Sequence, residues 1–203
     1  MKKFLIVLAG LPGTGKTTVA EILEQNLTNY KIISQNEIRR KHKLKRMPHK
    51  QEIILREIDV KTAELLNKGK GVIFDSVNRY TFRRQQMYGI ASCCRKNVLT
   101  LETICYEEEA KKRMRSRPKG DGIISDPCDP KVYDKMARSW EDIETDFKYP
   151  GEDHVSYAQI DTLKLKYNPK IVSDGLRVYI NKIGKILLAN LEKINKDSNA
   201  KRY

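Results

Sequence analysis

Six apolar residues in a row, Phe4–Ala9, stop at Gly10. A run so short and so uniformly apolar predicts a strand covered on both faces. From Thr17 onward the period changes, with Val19, Ile22, Leu23 and Leu27 falling at helical spacing. A second short apolar piece, Tyr30–Ser34, precedes a basic segment. Gln51–Lys68 reads as a long helix whose inner face is Ile54, Leu55, Ile58, Ala63, Leu65 and Leu66, closed by Gly69 and Gly71. Gly71–Ser76 is a third buried strand. Helix 82–95, strand 98–106 and helix 107–117 follow. Pro118–Pro130 interrupts the pattern with three prolines and two glycines, and is expected to be a mobile loop. Helix returns over 131–145, a last strand over 156–161 and a closing helix over 174–195, leaving 196–203 as a disordered tail. Strands alternating with helices predict a parallel sheet with helices on both faces, and a site at the carboxyl ends of the strands.

Composition narrows the class. A chain of 203 residues, 39% hydrophobic and 33% charged, fits one well-filled domain, expected over residues 1–195. The Phe4–Ala9 run is far below the roughly 20 residues of a membrane span, so no membrane partner is expected. Lys2 and Lys3 imitate the start of a signal peptide, but a glycine loop rather than a cleavage site follows. Cys93, Cys94, Cys105 and Cys128 form no CxxC pair and fit idle thiols in a reducing cytoplasm. The net charge of +14 favours polyanionic partners such as nucleic acid, although a lysine-rich proteome gives the same balance.

The chemistry is most legible at Leu8–Ala20, "LAGLPGTGKTTVA", where Gly10, Gly15, Lys16 and Thr17 satisfy G-x-x-x-x-G-K-[ST] between a strand and a helix. Gly10, Gly13 and Gly15 let successive N–H groups converge on phosphate oxygens, and the helix start adds positive potential. Lys16 is expected to reach the β and γ phosphates and the Thr17 hydroxyl to ligate Mg²⁺. Gly13, Thr14, Gly15, Lys16, Thr17 and Thr18 form the expected nucleotide-binding set.

What the triphosphate is used for depends on the rest of the chain. A GTPase needs N-K-x-D and D-x-x-G, and neither occurs. A motor ATPase usually ends its catalytic strand with two acids; here Asp75 is followed by Ser76, so the residue that would activate water is missing. A phosphotransferase remains. Asp75 can hold Mg²⁺ or take a proton from an acceptor. Arg113 and Arg117 end a helix four residues apart, just before the mobile loop, so Arg117 could be carried onto the phosphates by a lid over about 113–135. Arg39 and Arg40 follow the second strand.

Taken in order, "GLPGTGKTT", "IISQNEIRR", "VIFDSVNRYTFRRQ", "RMRSRP" and "DPKVYDKM" resemble the small P-loop kinases related to polynucleotide 5′-kinase and zeta toxin, over about residues 3 to 165. The resemblance implies a three-layer α/β P-loop NTPase fold with a five-stranded parallel sheet and a lid, and ATP with Mg²⁺ as donor. It matches Lys16 and Thr17 to the phosphate and metal positions, Asp75 to the acidic strand end, Arg117 to the lid arginine and Arg39 to the arginine on the acceptor side. One position departs from the pattern: Asn36 stands where the family carries the aspartate that serves as general base. An amide can only orient a hydroxyl. Glu37 or Asp75 would then cover the role, or transfer runs without strong base help because its transition state is loose, or activity is weak or altered.

The acceptor stays open between classes. Arg39–Lys50 holds seven Lys or Arg, two His and no acid, and is either a solvated face or a track for a nucleic-acid backbone. Tyr80, Phe82 and Tyr88, among Arg79, Arg83 and Arg84, are either base-stacking residues or core. The expectations are a kinase for a polynucleotide 5′-hydroxyl (DNA, RNA or tRNA), a kinase for a sugar acid, nucleoside or nucleotide-sugar, or an ATP-binding nucleic-acid-associated protein with little turnover.

Overall fold

Every side chain of Phe4–Ala9 is essentially excluded from solvent, which is why this run is the centre of the molecule and not an edge. The computed structural model describes residues 4–42, 48–117, 128–148, 154–173 and 175–200. In chain order the elements are β1 (Phe4–Ala9), α1 (Lys16–Asn26), β2 (Tyr30–Ser34), α2 (Gln35–Lys41), α3 (Pro48–Asn67), β3 (Gly71–Asp75), α4 (Thr81–Cys93) and β4 (Asn97–Ile104). They continue with α5 (Glu107–Arg115), α6 (Pro130–Ala137), a 3-10 helix (Ile143–Lys148), β5 (Val155–Asp161), β6 (Lys166–Ile171) and α7 (Arg177–Ala200). The sheet order is β2-β3-β1-β4-β5-β6.

β1 to β5 pair in parallel. Alternate residues therefore feed two cores. Phe4, Ile6, Leu8, Ile73, Leu99, Leu101, Ala158 and Ile160 pack under α1 and α7. Leu5, Val7, Val72, Phe74, Val98 and Val155 pack under α3 and α4. Burial of each such large apolar side chain is worth about 1.5–3 kcal/mol, so the two-sided sheet fixes the register of β1, β2 and β3. That register sets Ser34 beside Asp75 and Asp75 beside Leu8, and so aligns three chain exits at one edge.

The parallel five-stranded sheet expected from the sequence gains a sixth strand. β6 returns antiparallel to β5 through a turn in which the Asp161 carboxylate accepts from the Leu163 and Lys164 N–H groups. Its mixed sequence, KYNPKI, carries Pro169, which an edge strand tolerates because its N–H side need not pair.

The basic segment after β2 begins as helix α2, capped by the Ser34 hydroxyl accepting from the Glu37 N–H. Glu57 of α3 draws Lys61, His42 and Lys41 around its carboxylate. Those bonds hold it down to about 2 and tie α2 to α3. The helix expected over 131–145 divides in two. α6 ends at Ala137, and the Glu141 N–H leaves it to donate to the Arg79 carbonyl, before the 3-10 turn begins. α5 stops at Arg115, so Arg113 and Arg117 do not share a helical face. α7 continues through 196–200, part of the expected tail. Residues 118–127 of the expected lid, 43–47 of the basic segment, Asp174 and residues 201–203 lie outside the described residues.

Candidate functional site

The loop between β1 and α1 turns on left-handed glycines. Gly13 and Gly15 have φ of 83° and 95°. A Cβ on Gly13 would stand 2.3 Å from the Ala110 carbonyl oxygen. The loop is thus pressed against α5 so closely that only glycine fits, and its N–H groups are free to curl inward.

Around this loop runs a set of hydroxyls that sequence patterns did not pick out. Thr14 Oγ1 donates to the Leu11 carbonyl at 2.8 Å and meets Thr103 Oγ1 at 2.7 Å. Thr162 Oγ1 donates to the Thr14 carbonyl at 2.9 Å, and Arg113 Nη1 donates to Thr162 Oγ1 at 3.2 Å. The ends of β4 and β5 therefore clamp the loop, and Arg113, paired with Glu109 at 3.0 Å, extends the clamp to α5. The only sequence signal for Thr103 and Thr162 is their place at the carboxyl ends of strands.

Lys16, at the start of α1, folds back so that its Nζ donates to the Gly10 and Leu11 carbonyls, each at 2.8 Å. Burial pushes its ammonium down to about 8; the Asp75 carboxylate opposes that and the Arg117 guanidinium adds to it. Lys16 is thus electrostatically coupled to both Asp75 and Arg117. Thr17 is exposed beside them and its hydroxyl donates to Asp75 Oδ2 at 2.9 Å. Thr18 is half-buried in the same turn. Asp75 itself is only 6% exposed.

The hydroxyl and carboxylate of Thr17 and Asp75 are hard oxygen donors. Mg²⁺ takes few protein ligands and completes its shell with water and substrate phosphates, so this pair fits it. Among the described residues no group of three or more His, Cys, Asp or Glu could hold a metal by itself.

On the β2 side, Arg39 Nη2 donates to Gln51 Oε1 at 2.9 Å, and Nη1 lies 3.5 Å from Asn36 Oδ1. Glu37 is exposed, and Gln35 bonds Ser76 across the gap between β2 and β3. After β3 the chain is held by Asn78, whose Nδ2 donates to the Leu8 carbonyl at 2.7 Å, while the Gly10 N–H donates to Val77.

In the segment left open between base stacking and core, three residues are internal. Tyr88 is 1% exposed and its hydroxyl donates to Asp146 at 2.9 Å. Arg84 is fully buried and grips Asp146 with Nε and Nη2 at 2.6 and 2.7 Å. Arg83 is buried over the Phe74 ring and paired with Asp59 at 2.7 Å. Each has a partner that a single sequence does not reveal. Phe82 is exposed and Tyr80 half-buried; their rings stack on each other, and the Arg79 guanidinium lies over the Tyr80 ring.

A family model described as chromatin associated protein KTI12 matches residues 4–153, well over half of the chain. The chain belongs to the KTI12 family. No curated protein matches it. Among solved structures, Chaetomium thermophilum Kti12 in complex with ADP-AlF3 superposes with a TM-score of 0.55 at 19% identity, over 90% of this chain and 98% of that one. A gluconokinase from Sinorhizobium meliloti gives 0.51 at 15% identity, over 98% of each. A chain of the Pnkp1/Rnl/Hen1 complex gives 0.52 at 21% identity, over 59% of this chain and 42% of that one, so this chain spans less than half of it. Identities this low carry the fold alone. This chain has a P-loop kinase-like fold, in agreement with the family resemblance of its motifs. Among its described residues no helix is long and apolar enough to cross a membrane.

Proposed function

We propose that this KTI12-family protein binds ATP with Mg²⁺ in the loop before Thr17 and passes the γ-phosphate to a hydroxyl of a polynucleotide, at its 5′ end. The observation that carries the reading is the left-handed glycine loop that ends in Lys16 and Thr17, with Lys16 turned back onto the loop carbonyls and the Thr17 hydroxyl bonded to Asp75. That a family relative was solved with ADP-AlF3 supports an adenine nucleotide as donor.

Each residue has a task that its geometry allows. The triphosphate tail replaces the Gly10 and Leu11 carbonyls as the partner of Lys16, and the loop N–H groups orient it. Thr17 and Asp75 would hold Mg²⁺, which would supply positive charge against the phosphates. Arg117, already within electrostatic reach of Lys16, stabilises charge on the phosphoryl group in flight. Arg39, on the neighbouring strand exit, holds the acceptor. Transfer rather than hydrolysis follows from the lack of a second acid after Asp75. The net charge of +14 and a family described as chromatin associated support a nucleic-acid acceptor.

One observation favours a second reading, an ATP-binding protein with little turnover. Asn36 supplies no base, Asp75 is engaged with Thr17, and Glu37 faces solvent. Incubation with γ-labelled ATP and a 5′-hydroxyl oligonucleotide separates the two. Label on the oligonucleotide supports transfer, whereas tight ATP binding with no labelled product supports the second reading.

A further inference from the structure

The turn between β3 and α4 carries a stack of planar groups that the phosphate chemistry does not use. The Arg79 guanidinium carbon lies 4.4 Å from the centroid of the Tyr80 ring, and Arg79 Nη2 donates to the Tyr80 hydroxyl at 2.6 Å. The Tyr80 and Phe82 rings are 5.8 Å apart and nearly parallel, at 23°. Phe82 is 62% exposed.

An exposed phenylalanine at the first turn of a helix is usually free to swing. This one is braced. The Thr81 N–H beside it donates to the Glu141 carboxylate at 2.6 Å, and the Glu141 N–H donates back to the Arg79 carbonyl at 3.0 Å. The buried Arg84 reaches the same turn from beneath, through the Asn78 carbonyl at 3.0 Å and Thr81 Oγ1 at 3.0 Å. The backbone that carries the two rings is thus held at both ends. Arg79 also keeps a buried Nε with no partner among the described residues.

We propose that Arg79, Tyr80 and Phe82 form a stacking platform on which a base of a single-stranded nucleic acid rests. This deepens the proposed function and rests on its nucleic-acid acceptor. The platform follows directly from the end of β3, where Asp75 sits, on the side of the sheet that also carries Asn36 and Arg39. The same turn is joined to the phosphate loop, the Gly10 N–H donating to the Val77 carbonyl and Asn78 Nδ2 to the Leu8 carbonyl. The occupant is a base because the exposed surface is one aromatic face backed by a second ring and a guanidinium, on a chain of net charge +14. Stacking on such a face is indifferent to base identity but requires a base. An apolar protein partner would need a wider patch than one ring offers.

The test is equilibrium binding of the full chain, without ATP, to a single-stranded 5′-hydroxyl oligonucleotide and to an abasic counterpart of equal length and charge. Phe82→Ala is expected to lose about tenfold or more in affinity for the oligonucleotide, and Phe82→Trp to recover it. Both variants are expected to bind the abasic strand as the parent does. Because Phe82 is exposed, neither change threatens the fold. Parent-like binding by Phe82→Ala, or an equal loss on the abasic strand, overturns the platform. An oligonucleotide that binds through Phe82 but never accepts phosphate overturns only the transfer reading. No binding of any oligonucleotide by the parent overturns both.

Discussion

Replacing Arg84 with methionine removes one half of a buried ion pair and leaves the other half in place. Arg84 and Asp146 are both fully excluded from solvent, and Nε and Nη2 meet the two carboxylate oxygens at 2.6 and 2.7 Å. Burial works against the Arg84 charge, and the Asp146 carboxylate more than offsets it, so the guanidinium is held above its ordinary value. In Arg84→Met the Asp146 carboxylate keeps a single hydrogen bond, from Tyr88. Stranding a buried charge costs about 3–5 kcal/mol. The total stability of a domain is only about 5–15 kcal/mol, and at about 2–4 °C per kcal/mol the melting point should fall by roughly 6–20 °C. Denaturant unfolding at neutral pH measures the loss directly.

The mechanism also fixes a sign. A stranded buried carboxylate is relieved by taking a proton. The folded variant then binds more protons than its unfolded chain, and its deficit relative to the parent must shrink as pH is lowered from about 7 to about 5. Removing the charge as well, in Arg84→Met with Asp146→Leu, should recover part of the loss and abolish that pH dependence. Recovery is partial because the Asn78 and Asp142 carbonyls still lose their donors. A loss below about 1 kcal/mol, or one unchanged by acid, would refute the claim that this pair carries buried charge.

The remaining predictions concern the phosphate site. With Lys16 near 8 in the free protein, phosphate binding must raise it, so affinity for ATP falls as pH climbs past about 8. Calorimetry in two buffers of different ionisation heat at that pH should show uptake of about half a proton; no uptake would mean the ammonium is not at the phosphates. Gly13→Ala forces a methyl group against the Ala110 carbonyl at a φ of 83°. It should weaken ATP binding by about 1–3 kcal/mol, and unchanged binding would show that the loop does not need its present path. Asn36→Asp supplies the missing base and should speed transfer to an oligonucleotide by about tenfold or more. An unaltered rate would place the limiting step elsewhere.

The parts of the site legible in the sequence are those where one residue type is physically compelled. Left-handed backbone compels glycine at Gly13 and Gly15, the spacing G-x-x-x-x-G-K-[ST] picks out Lys16 and Thr17, and Asp75 is visible as the acid that ends an apolar strand. β1 and β3 were readable because both faces are covered and their residues are apolar up to Asp75, and β2, β4 and β5 because apolar residues still recur through them. β6 was not, since a strand paired on one side keeps lysines, an asparagine and a proline. Arg83, Arg84 and Tyr88 could not be placed from sequence for a related reason. Charge and aromaticity suggest a surface that meets nucleic acid, and only Asp59, Asp146 and Thr100, distant in the chain, bring them inside. Thr103 and Thr162 carry no signature, because a hydroxyl that clamps a loop differs from any other threonine only in where the strand ends.

The central claim is that the cradle before Thr17 holds ATP for donation to a nucleic-acid hydroxyl. Its most direct test is the fate of label from γ-labelled ATP, followed with Mg²⁺ and a 5′-hydroxyl oligonucleotide, using Lys16→Ala as the blank. Label is expected on the 5′ end of the oligonucleotide with the parent chain and to vanish with the variant. Label found only as inorganic phosphate, or transfer that survives Lys16→Ala, would contradict it.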